Sequence, residues 1–494
     1  MLILLAIFFI LHGYNENFGI IPSELIASLF IKYVLISLAI FVFSLLLFRS
    51  RSKAFLYSLC LLFIYYFFGA FYDILKKNIG SGFFTSYKFL LPAIFIFVAA
   101  IYFIFKKSKK KFEAALQYCS YLLVIITVLE AGNFVFKYFS DKSFNNLEAK
   151  PLEIKNPVGD CSLTQKPDIF FIVLDGYTSS ACLQEEFAFS NRFIDSLLTA
   201  NNFFISTGSK SNYNVTPFSL SSTLDMNYLK PGLEKAEGQD KLFRQAIETL
   251  KNNDLVRFFE NENYQLKNFG CFDFKNAPTP LKPYFGRELY YRIIDDQTLY
   301  SRVMRDIGWN FTTRNIFTGA FKVPESFTKS KEYHIYRNQY NWEKLLDEIQ
   351  RRSDSPRFVY AHLMLPHEPF YLDKNGKRVS DTALILNGLN LKDAYLEQLI
   401  YTNKLLAELI PLVSDDASHQ RVVIIQGDHG FRDYEFANSK EKEFMNLNAY
   451  YFSDHNYSML YNSISPVNSF RVVLNKYFCQ SFPLLKDSSI YFQH

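Results

Sequence analysis

Apolar residues are concentrated in long uninterrupted runs near the start of the chain. Four of these runs cover residues 25–48, 54–72, 89–105 and 114–136. Each predicts a membrane-spanning helix, because about 20 apolar residues are needed to cross the hydrocarbon core of a bilayer. Residues 1–11 are also apolar and predict a short first span, since they have neither the basic start nor the cleavage site of a signal peptide. A bundle of about five transmembrane helices is therefore expected.

The basic residues between these runs predict how the bundle is oriented. They lie mainly in two loops, after the second and the fourth span: Arg49, Arg51, Lys53, Lys106, Lys107, Lys109, Lys110 and Lys111. Basic loops stay in the cytoplasm, so everything after Ser140 is expected outside it. These flanks also disfavour the alternative that the runs are buried core helices. We expect a membrane domain over 1–138 in the bacterial inner (cytoplasmic) membrane, followed by a periplasmic or extracellular domain.

Two charged residues, Lys32 and Glu130, lie within the predicted spans. Charge inside a bilayer is costly, so both residues are candidates for a functional role, such as contact with a lipid headgroup. The favoured interpretation is simpler: each side chain reaches the interface or another helix.

After the last span the pattern changes to that of a water-soluble domain. Residues 139–166 are polar and predict a linker. Continuous apolar runs at 169–174, 358–364 and 422–425 predict strands buried on both faces. Helical stretches alternate with them: Phe187 to Leu198, Lys241 to Phe259 and Tyr395 to Leu412. This alternation predicts an α/β domain over 167–494, with a central, mostly parallel sheet covered by helices on both faces.

Composition and charge narrow the function classes. Hydrophobic residues make up 49% of the chain and charged residues 20%, which excludes a disordered or collagen-like protein. The net charge of +5 is small for 494 residues, so nothing indicates a nucleic-acid partner. Disulfides are possible among the exported cysteines, which the sequence does not pair: Cys161, Cys182, Cys271 and Cys479.

Candidate metal ligands follow two of the predicted strands. Asp175 ends the first strand and precedes a glycine, where it could bind a metal ion or cap the next helix. Asp428 and His429 leave a later strand side by side between two glycines. Such oxygen and imidazole ligands suit Mn²⁺, Mg²⁺ or Zn²⁺, whereas a turn-forming aspartate beside an incidental histidine is the alternative. Chemistry is expected here because open α/β sheets bind ligands at the carboxyl ends of their strands.

Two histidines lie in the segment FVYAHLMLPHEPF. Prolines hold His367 in an extended turn, where it could protonate a leaving group or contact a phosphate. A structural hydrogen bond is the alternative, and it is the favoured interpretation for His362.

The nucleophile is expected in a hydroxyl-rich segment that precedes another predicted helix. Thr216 and Ser219 stand out because the sequence TPFS would open that helix and leave the threonine oxygen near unpaired backbone N–H groups. Such a location binds phosphate well. Many of the hydroxyl groups in the segment could instead be simple helix caps.

Taken in order, these motifs resemble the alkaline phosphatase superfamily, specifically the sulfatase-like branch that contains lipoteichoic acid synthases and phosphoethanolamine transferases. The resemblance covers about residues 166–478 and extends to the preceding spans. It implies an alkaline-phosphatase-like catalytic domain. True sulfatases need a cysteine or serine in C-x-P-S-R or a related motif, and the chain has none. A threonine nucleophile instead implies an unmodified alkoxide and favours phosphorus esters over sulfate esters.

The resemblance also implies roles for individual residues. Asp175 matches the acidic metal ligand of the first strand, although lipoteichoic acid synthases typically have glutamate there. Asp428 and His429 match the paired metal ligands. Thr216 matches the nucleophile, which also binds the metal, and His367 matches the histidine that contacts the substrate.

The function implied is a membrane-anchored transferase that uses one divalent ion (Mn, Mg or Zn). It would move phosphoglycerol or phosphoethanolamine from a membrane phospholipid to an envelope glycan or lipid, through a phosphothreonine intermediate. A phosphatase, phosphodiesterase or sulfatase-like hydrolase on the same fold is the alternative. Such a hydrolase would need a second metal, which is not expected; His455 could be one of its ligands, but a surface loop is favoured. A catalytically silent envelope protein is a third hypothesis.

Overall fold

The computed structural model describes most of the chain, in the following segments: residues 2–18, 21, 24–80, 82–141, 166–229, 239–281, 287–308, 325–386, 390–414, 420–432 and 439–492. Most of the predicted linker, and Cys161, lie outside the described residues. Backbone contacts divide the chain into two units: the first is Met1–Glu148 with Phe285–Pro324, and the second is Ala149–Tyr284 with Glu325–His494. The domain boundaries expected from the sequence stay a prediction.

The first unit begins with five helices: α1 Leu2–Glu16, α2 Glu24–Phe48, α3 Arg51–Ile79, α4 Tyr87–Lys107 and α5 Glu113–Asp141. The last four are long and apolar enough to cross a membrane. Helix α1 has 15 residues, which is about 22 Å of helix and shorter than a hydrocarbon core of about 30 Å. The predicted N-terminal bundle is therefore confirmed, with four membrane-length helices and one short helix.

The second unit is built on a six-stranded sheet with the order β2-β6-β5-β1-β4-β3. Its strands are β1 Asp168–Leu174, β2 Phe204–Ile205, β3 Gln265–Phe269, β4 Arg357–Leu363, β5 Arg421–Gly427 and β6 Asn448–Phe452. Strands β3, β4, β1 and β5 are parallel, whereas β6 runs antiparallel to β5 and β2 antiparallel to β6. The predicted mostly parallel sheet is confirmed.

Helices cover both faces of this sheet. Those of the second unit are α6 Ser180–Phe187, α7 Arg192–Ala200, α8 Thr216–Leu224, α9 Gln239–Lys251, α10 Asp254–Asn261, α13 Glu325–Gln350, α14 Asp381–Leu386, α15 Leu391–Ser414, α16 Ser439–Lys442 and α17 Pro466–Tyr477. On one face Phe170 and Ile172 of β1 share a core with α7, α13 and α15. On the other face Phe171 lies 5.1 Å from Phe470 of α17, between ring centres. Burial on both faces explains the continuous apolar runs of β1, β4 and β5.

Two stretches predicted as single helices are interrupted. The stretch 187–198 contains only the last residue of α6; the chain leaves the helix at Ala188, which is left-handed with φ 49°, and α7 begins at Arg192. The stretch 241–259 is interrupted before α10, where the Asn253 side chain accepts a hydrogen bond from the backbone N–H of Val256 at 2.9 Å. An asparagine N-cap starts a new helix, which the apolar periodicity did not reveal. The third stretch is continuous within α15.

The remaining helices, α11 Arg287–Asp295 and α12 Leu299–Ile307, belong to the first unit. They lie between two segments of the second unit in the sequence. A 3₁₀ turn at Phe83–Thr85 connects α3 to α4.

An ion-pair network closes the amino-terminal edge of the sheet. The Arg357 guanidinium is 1% exposed and lies between two carboxylates. Its Nη2 is 2.6 Å from Oδ2 of Asp168, and its Nη1 is 3.0 Å from Oε2 of Glu348. The Arg357 backbone N–H also donates to Oδ1 of Asp168. Each charge of this network therefore has an opposite charge beside it.

The cysteines differ in state. Cys479 is disulfide-bonded, whereas the thiols of Cys60, Cys119, Cys182 and Cys271 are free. A disulfide fits an oxidising compartment for this part of the chain.

Candidate active site

Strand β1 delivers Asp175 to the carboxyl edge of the sheet. Its backbone N–H donates to the carbonyl of Leu363 on β4, which fixes the point where the strand ends. Gly176 then turns the chain with φ +68°, a conformation that residues with a Cβ rarely adopt. A Cβ at this position would also stand 3.5 Å from the ring of His367 and 3.6 Å from that of His429. The turn therefore needs glycine and brings the carboxylate close to both imidazoles.

Strand β5 delivers Asp428 and His429 to the same edge. Oδ1 of Asp428 accepts hydrogen bonds from the backbone N–H groups of Gly176 at 2.9 Å and His429 at 3.0 Å. Nδ1 of His429 lies 2.7 Å from the Gly430 carbonyl, to which it donates. Nε2 of His429 is then an acceptor, and it lies 3.5 Å from Oδ1 of Asp175 and 3.6 Å from Oδ2 of Asp428.

Three hydrogen-bond acceptors therefore lie close together. Among the described residues, Asp175 Oδ1, Asp428 Oδ2 and His429 Nε2 are buried and have no hydrogen-bond partner. Burial of such groups is costly unless a cation or proton joins them. Two carboxylate oxygens and one imidazole nitrogen form a donor set that a divalent ion accepts. The residues present thus fit a metal ion; their role as its ligands stays a prediction.

The protonation states agree with such a site. Burial raises the pKa of Asp175, but the three neighbouring histidines, His367 foremost, outweigh it and hold that pKa well below its usual range. Burial lowers the pKa of His429 to about 4, although the two carboxylates oppose the change. At neutral pH Asp175 is therefore charged and the His429 imidazole is neutral, which are the forms that bind metals.

His367 stands at the mouth of the cluster. Its Nε2 lies 3.8 Å from Oδ1 of Asp175, and its ring faces that of His429 at 5.7 Å between centres. The same nitrogen contacts the guanidinium of Arg432, and Nδ1 lies against the carbonyl of Glu368. The structure thus places His367 beside the predicted metal ligands, where it could serve as a further ligand or contact a substrate.

His362 contacts the cluster from behind. Its Nε2 is 3.2 Å from Oδ2 of Asp175, and its Nδ1 is 3.0 Å from the Tyr360 hydroxyl and 3.1 Å from the Cys271 thiol. Burial would lower the pKa of His362, but Cys271 and Asp175 outweigh it and raise that pKa above its ordinary value. These are the structural hydrogen bonds that the sequence favoured. The sequence did not identify Asp175 as their partner, because this contact depends on β1 and β4 being neighbouring strands.

Helix α8 begins at Thr216, as the sequence indicated. Val215 before it is extended, and Thr216 is buried in the first turn. One turn later, the Ser219 hydroxyl donates to the carbonyl of Asp428 at 2.6 Å. This contact places the N-terminal turn of α8 beside the cluster. The nucleophilic role of Thr216 stays a prediction.

A cleft of about 340 Å³, open to solvent, leads to the cluster. It is lined by Gly176, His367, Glu368, Phe370, Leu391, Tyr395, His429, Gly430, Phe431 and Arg432. A substrate in this cleft would meet aromatic surface, one guanidinium and the edge of the acceptor cluster. Arg432 is one residue that the sequence did not single out, although it follows the DHG triplet directly. His455 is exposed on a surface loop, as favoured.

Residues 244–469 match the family model described as Sulfatase. This segment is similar to the Sulfatase family. The match includes His367, Asp428 and His429, whereas Asp175 and Thr216 precede it. The predicted resemblance to the sulfatase-like branch, and the prediction of a sulfatase-like enzyme, are confirmed at this level.

Several solved structures are similar to the chain. The periplasmic domain of the phosphoethanolamine transferase EptC from Campylobacter jejuni is 14% identical, with 64% of this chain and 90% of that chain covered and a TM-score of 0.37. The lipooligosaccharide phosphoethanolamine transferase A (EptA) from Neisseria meningitidis is 11% identical, with 94% of each chain covered and a TM-score of 0.38. A comparison with curated proteins gives no match. The similarity to the Sulfatase family rests on the family match alone.

Proposed function

We propose that the protein is a membrane-anchored, metal-dependent transferase of phospholipid headgroups. It would move phosphoglycerol or phosphoethanolamine from a membrane phospholipid to an envelope glycan or lipid. The observation that carries the proposal is the convergence of three buried, unpaired acceptors beside the first turn of α8. The four membrane-length helices support a lipid donor, because they tether the site to a bilayer.

In the proposed mechanism, Asp175, Asp428, His429 and Thr216 would hold the divalent ion. A bound ion would lower the pKa of the Thr216 hydroxyl and neutralise charge on the phosphoryl oxygens. Backbone N–H groups at the start of α8 stabilise the same oxygens. His362 holds the Asp175 carboxylate in place through its hydrogen bond to Oδ2.

Two displacements complete the transfer. In the first, Oγ1 of Thr216 bonds to phosphorus while the bond from phosphorus to the diacylglycerol oxygen breaks, and the Thr216 proton passes through His367 to that oxygen. In the second, an acceptor hydroxyl bonds to phosphorus while the bond from phosphorus to the Thr216 oxygen breaks, and the acceptor proton passes through His367 to the Thr216 oxygen. The intermediate is a phosphothreonine ester, and Arg432 keeps His367 oriented between the steps.

The proposed location is a bacterial inner membrane, with the catalytic domain on its periplasmic or extracellular side. The basic loops that follow α2 and α4 support this orientation. The disulfide-bonded Cys479 supports an oxidising compartment.

The test incubates purified full-length protein and Mn²⁺ with phosphatidylglycerol or phosphatidylethanolamine labelled in both the acyl chains and the headgroup. We expect labelled diacylglycerol and a headgroup-phosphate adduct on the peptide that contains Thr216. Thr216→Ala is expected to lose both products, by about 10³-fold or more in rate. Thr199→Ala, an exposed helical threonine, is the matched control and keeps both.

Two results would count against the transferase. If Thr216→Ala turned over lipid at the wild-type rate, Thr216 could not be the nucleophile. Rapid release of the free headgroup phosphate, at a rate that an added acceptor does not change, would identify a hydrolase.

A further inference from the structure

Helices α11 and α12 lie within the sequence range that matches the Sulfatase family but belong to the membrane unit. The matched range is 244–469, and the two helices cover 287–295 and 299–307. Their backbone contacts nevertheless place Phe285–Pro324 with the membrane helices. Polar helices that pack against a bundle of membrane helices need specific contacts to stay in place.

Helix α11 makes polar contacts with α2. The Tyr291 hydroxyl lies 2.6 Å from the Ser28 hydroxyl. Asp295 pairs with Lys32, whose Nζ is 2.6 Å from Oδ2, and it also accepts a hydrogen bond from the Tyr33 hydroxyl. The charged residue within the second predicted span therefore has a carboxylate partner supplied by α11. Removal of either charge would leave the other without this partner.

The turn between α11 and α12 lies directly against α3. The backbone N–H of Gly69 donates to the Gln297 carbonyl at 2.8 Å. A Cβ at Gly69 would stand 2.7 Å from the Asp296 carbonyl oxygen and 2.7 Å from the Cα of Gln297. Both atoms belong to the backbone, so any larger residue must push the turn away. Such close backbone approach through glycine is how membrane helices pack.

Helix α12 continues the contact along α3 and α4. Arg302 forms an ion pair with Asp73 and lies over the ring of Tyr72, 6.0 Å from its centre. The Tyr87 hydroxyl donates to Asp306 at 2.6 Å. These partners stand near the start of α2, the end of α3 and the start of α4, which are the span ends that the basic loops predict to be outside the cytoplasm.

We propose that α11 and α12 form a docking clamp, residues 287–308, that anchors this stretch of the chain on the outer ends of α2, α3 and α4. The clamp is a positioning element: the chain of the catalytic domain continues on both sides of it, so it is a second covalent tether that keeps a lipid phosphodiester within reach of the cleft. This second part rests on the proposed function, whereas the docking itself does not.

The docking is tested with Ile294→Cys as a reporter, because Ile294 is buried in the core of the membrane unit. A membrane-impermeant maleimide is applied to spheroplasts that contain the full-length protein, and labelling at position 294 is followed by mass spectrometry. We expect slow labelling of the reporter alone. Addition of Gly69→Ala should raise the rate about tenfold, which corresponds to about 1.4 kcal/mol of docking free energy.

Gly132→Ala is the matched control, because a Cβ at this glycine of α5 meets no atom within 4 Å. It should leave the labelling rate unchanged. A charge exchange gives a second reading: Lys32→Asp should raise the rate, and Lys32→Asp with Asp295→Lys should lower it again. Fast labelling of the reporter alone, or no effect of Gly69→Ala, would overturn the docking.

The positioning role is tested by comparing two substrates. Gly69→Ala should lower turnover of membrane phospholipid about tenfold but keep turnover of a water-soluble nitrophenyl phosphodiester. Equal lipid turnover in Gly69→Ala, despite faster labelling, would contradict the positioning role. If the wild type turns over neither substrate, the proposed function fails, while the labelling result still decides whether the clamp exists.

Discussion

The two edges of the central sheet hold buried charge in opposite ways. At the amino edge, the Arg357 guanidinium lies between the carboxylates of Asp168 and Glu348. At the carboxyl edge, Asp175, Asp428 and His429 present acceptors to one another, and three of their atoms have no partner among the described residues.

This difference indicates which edge is structural and which is functional. A charge network that is complete within the protein favours a single folded state and leaves nothing for a ligand to supply. A cluster of unpaired acceptors raises the free energy of the folded state until a cation binds. Such a cluster therefore indicates a binding site. The carboxyl edge is also where open α/β sheets place their ligands.

The largest effect is expected from Asp175→Asn, which preserves shape but removes one charge from the carboxyl edge. Turnover of labelled phospholipid should fall by about 10³-fold or more, because the nucleophile would lose the metal that activates it. The free energy of unfolding without metal should fall, because the charged Asp175 carboxylate is stabilised by the neighbouring histidines, which lower its pKa. A variant that retained full turnover would show that this edge is not the catalytic one.

The matched change at the amino edge is Asp168→Asn, with the opposite expectation. It leaves the buried Arg357 with one carboxylate instead of two, so the free energy of unfolding should fall by about 3 kcal/mol. Turnover per folded molecule should stay at the wild-type value. Chemical denaturation in detergent measures the first quantity and active-site titration the second. If Asp168→Asn lost turnover but kept normal stability, the amino edge would be the functional one and the carboxyl edge the structural one.

Much of the carboxyl edge could be predicted from the sequence, because its signals are local. Asp175, Asp428 and His429 each follow an apolar strand directly, and the family resemblance ordered them. The contact between His362 and Asp175 could not be predicted, since it depends on which strands are neighbours and on their register. Only the folded chain brings Val173 of β1 opposite His362 of β4.

The contacts of the docking clamp could not be predicted from the sequence either. The stretch between residues 230 and 350 has no motif that we could interpret, and its amphipathic helices gave no sign of a membrane partner. Asp295 lies 263 positions from Lys32 in the sequence, so no local pattern connects the two charges. The breaks between α6 and α7 and between α9 and α10 were missed for a different reason: single capping residues outweigh the apolar periodicity there.

A third prediction concerns metal addition. Mn²⁺ or Zn²⁺ at about 100 times its dissociation constant should stabilise the wild type by about 2.7 kcal/mol, because the ion binds the folded cluster and not the unfolded chain. Thermal unfolding with and without a chelator measures this gain. Asp168→Asn should show the same gain and Asp175→Asn little of it. If both variants gained the same stability, the metal would bind somewhere other than the carboxyl edge.

The smallest effect is expected from His455→Ala. This side chain is exposed on a surface loop, so its removal should change the free energy of unfolding by less than about 0.5 kcal/mol. The number of ions bound per chain should stay at one, as measured by elemental analysis after dialysis. Loss of a bound ion in His455→Ala would reveal a second metal and favour the hydrolase alternative.

The central claim is that the unpaired acceptors at the carboxyl edge hold one divalent ion. Calorimetric titration of Mn²⁺ and Zn²⁺ into metal-free, full-length protein tests it most directly, with Asp428→Asn as the comparison. The account predicts one ion per chain in the wild type and at least about tenfold weaker binding in the variant, because Oδ2 of Asp428 would become a neutral amide or carbonyl group. Equal affinity in the two proteins, or no binding to the wild type, would contradict it.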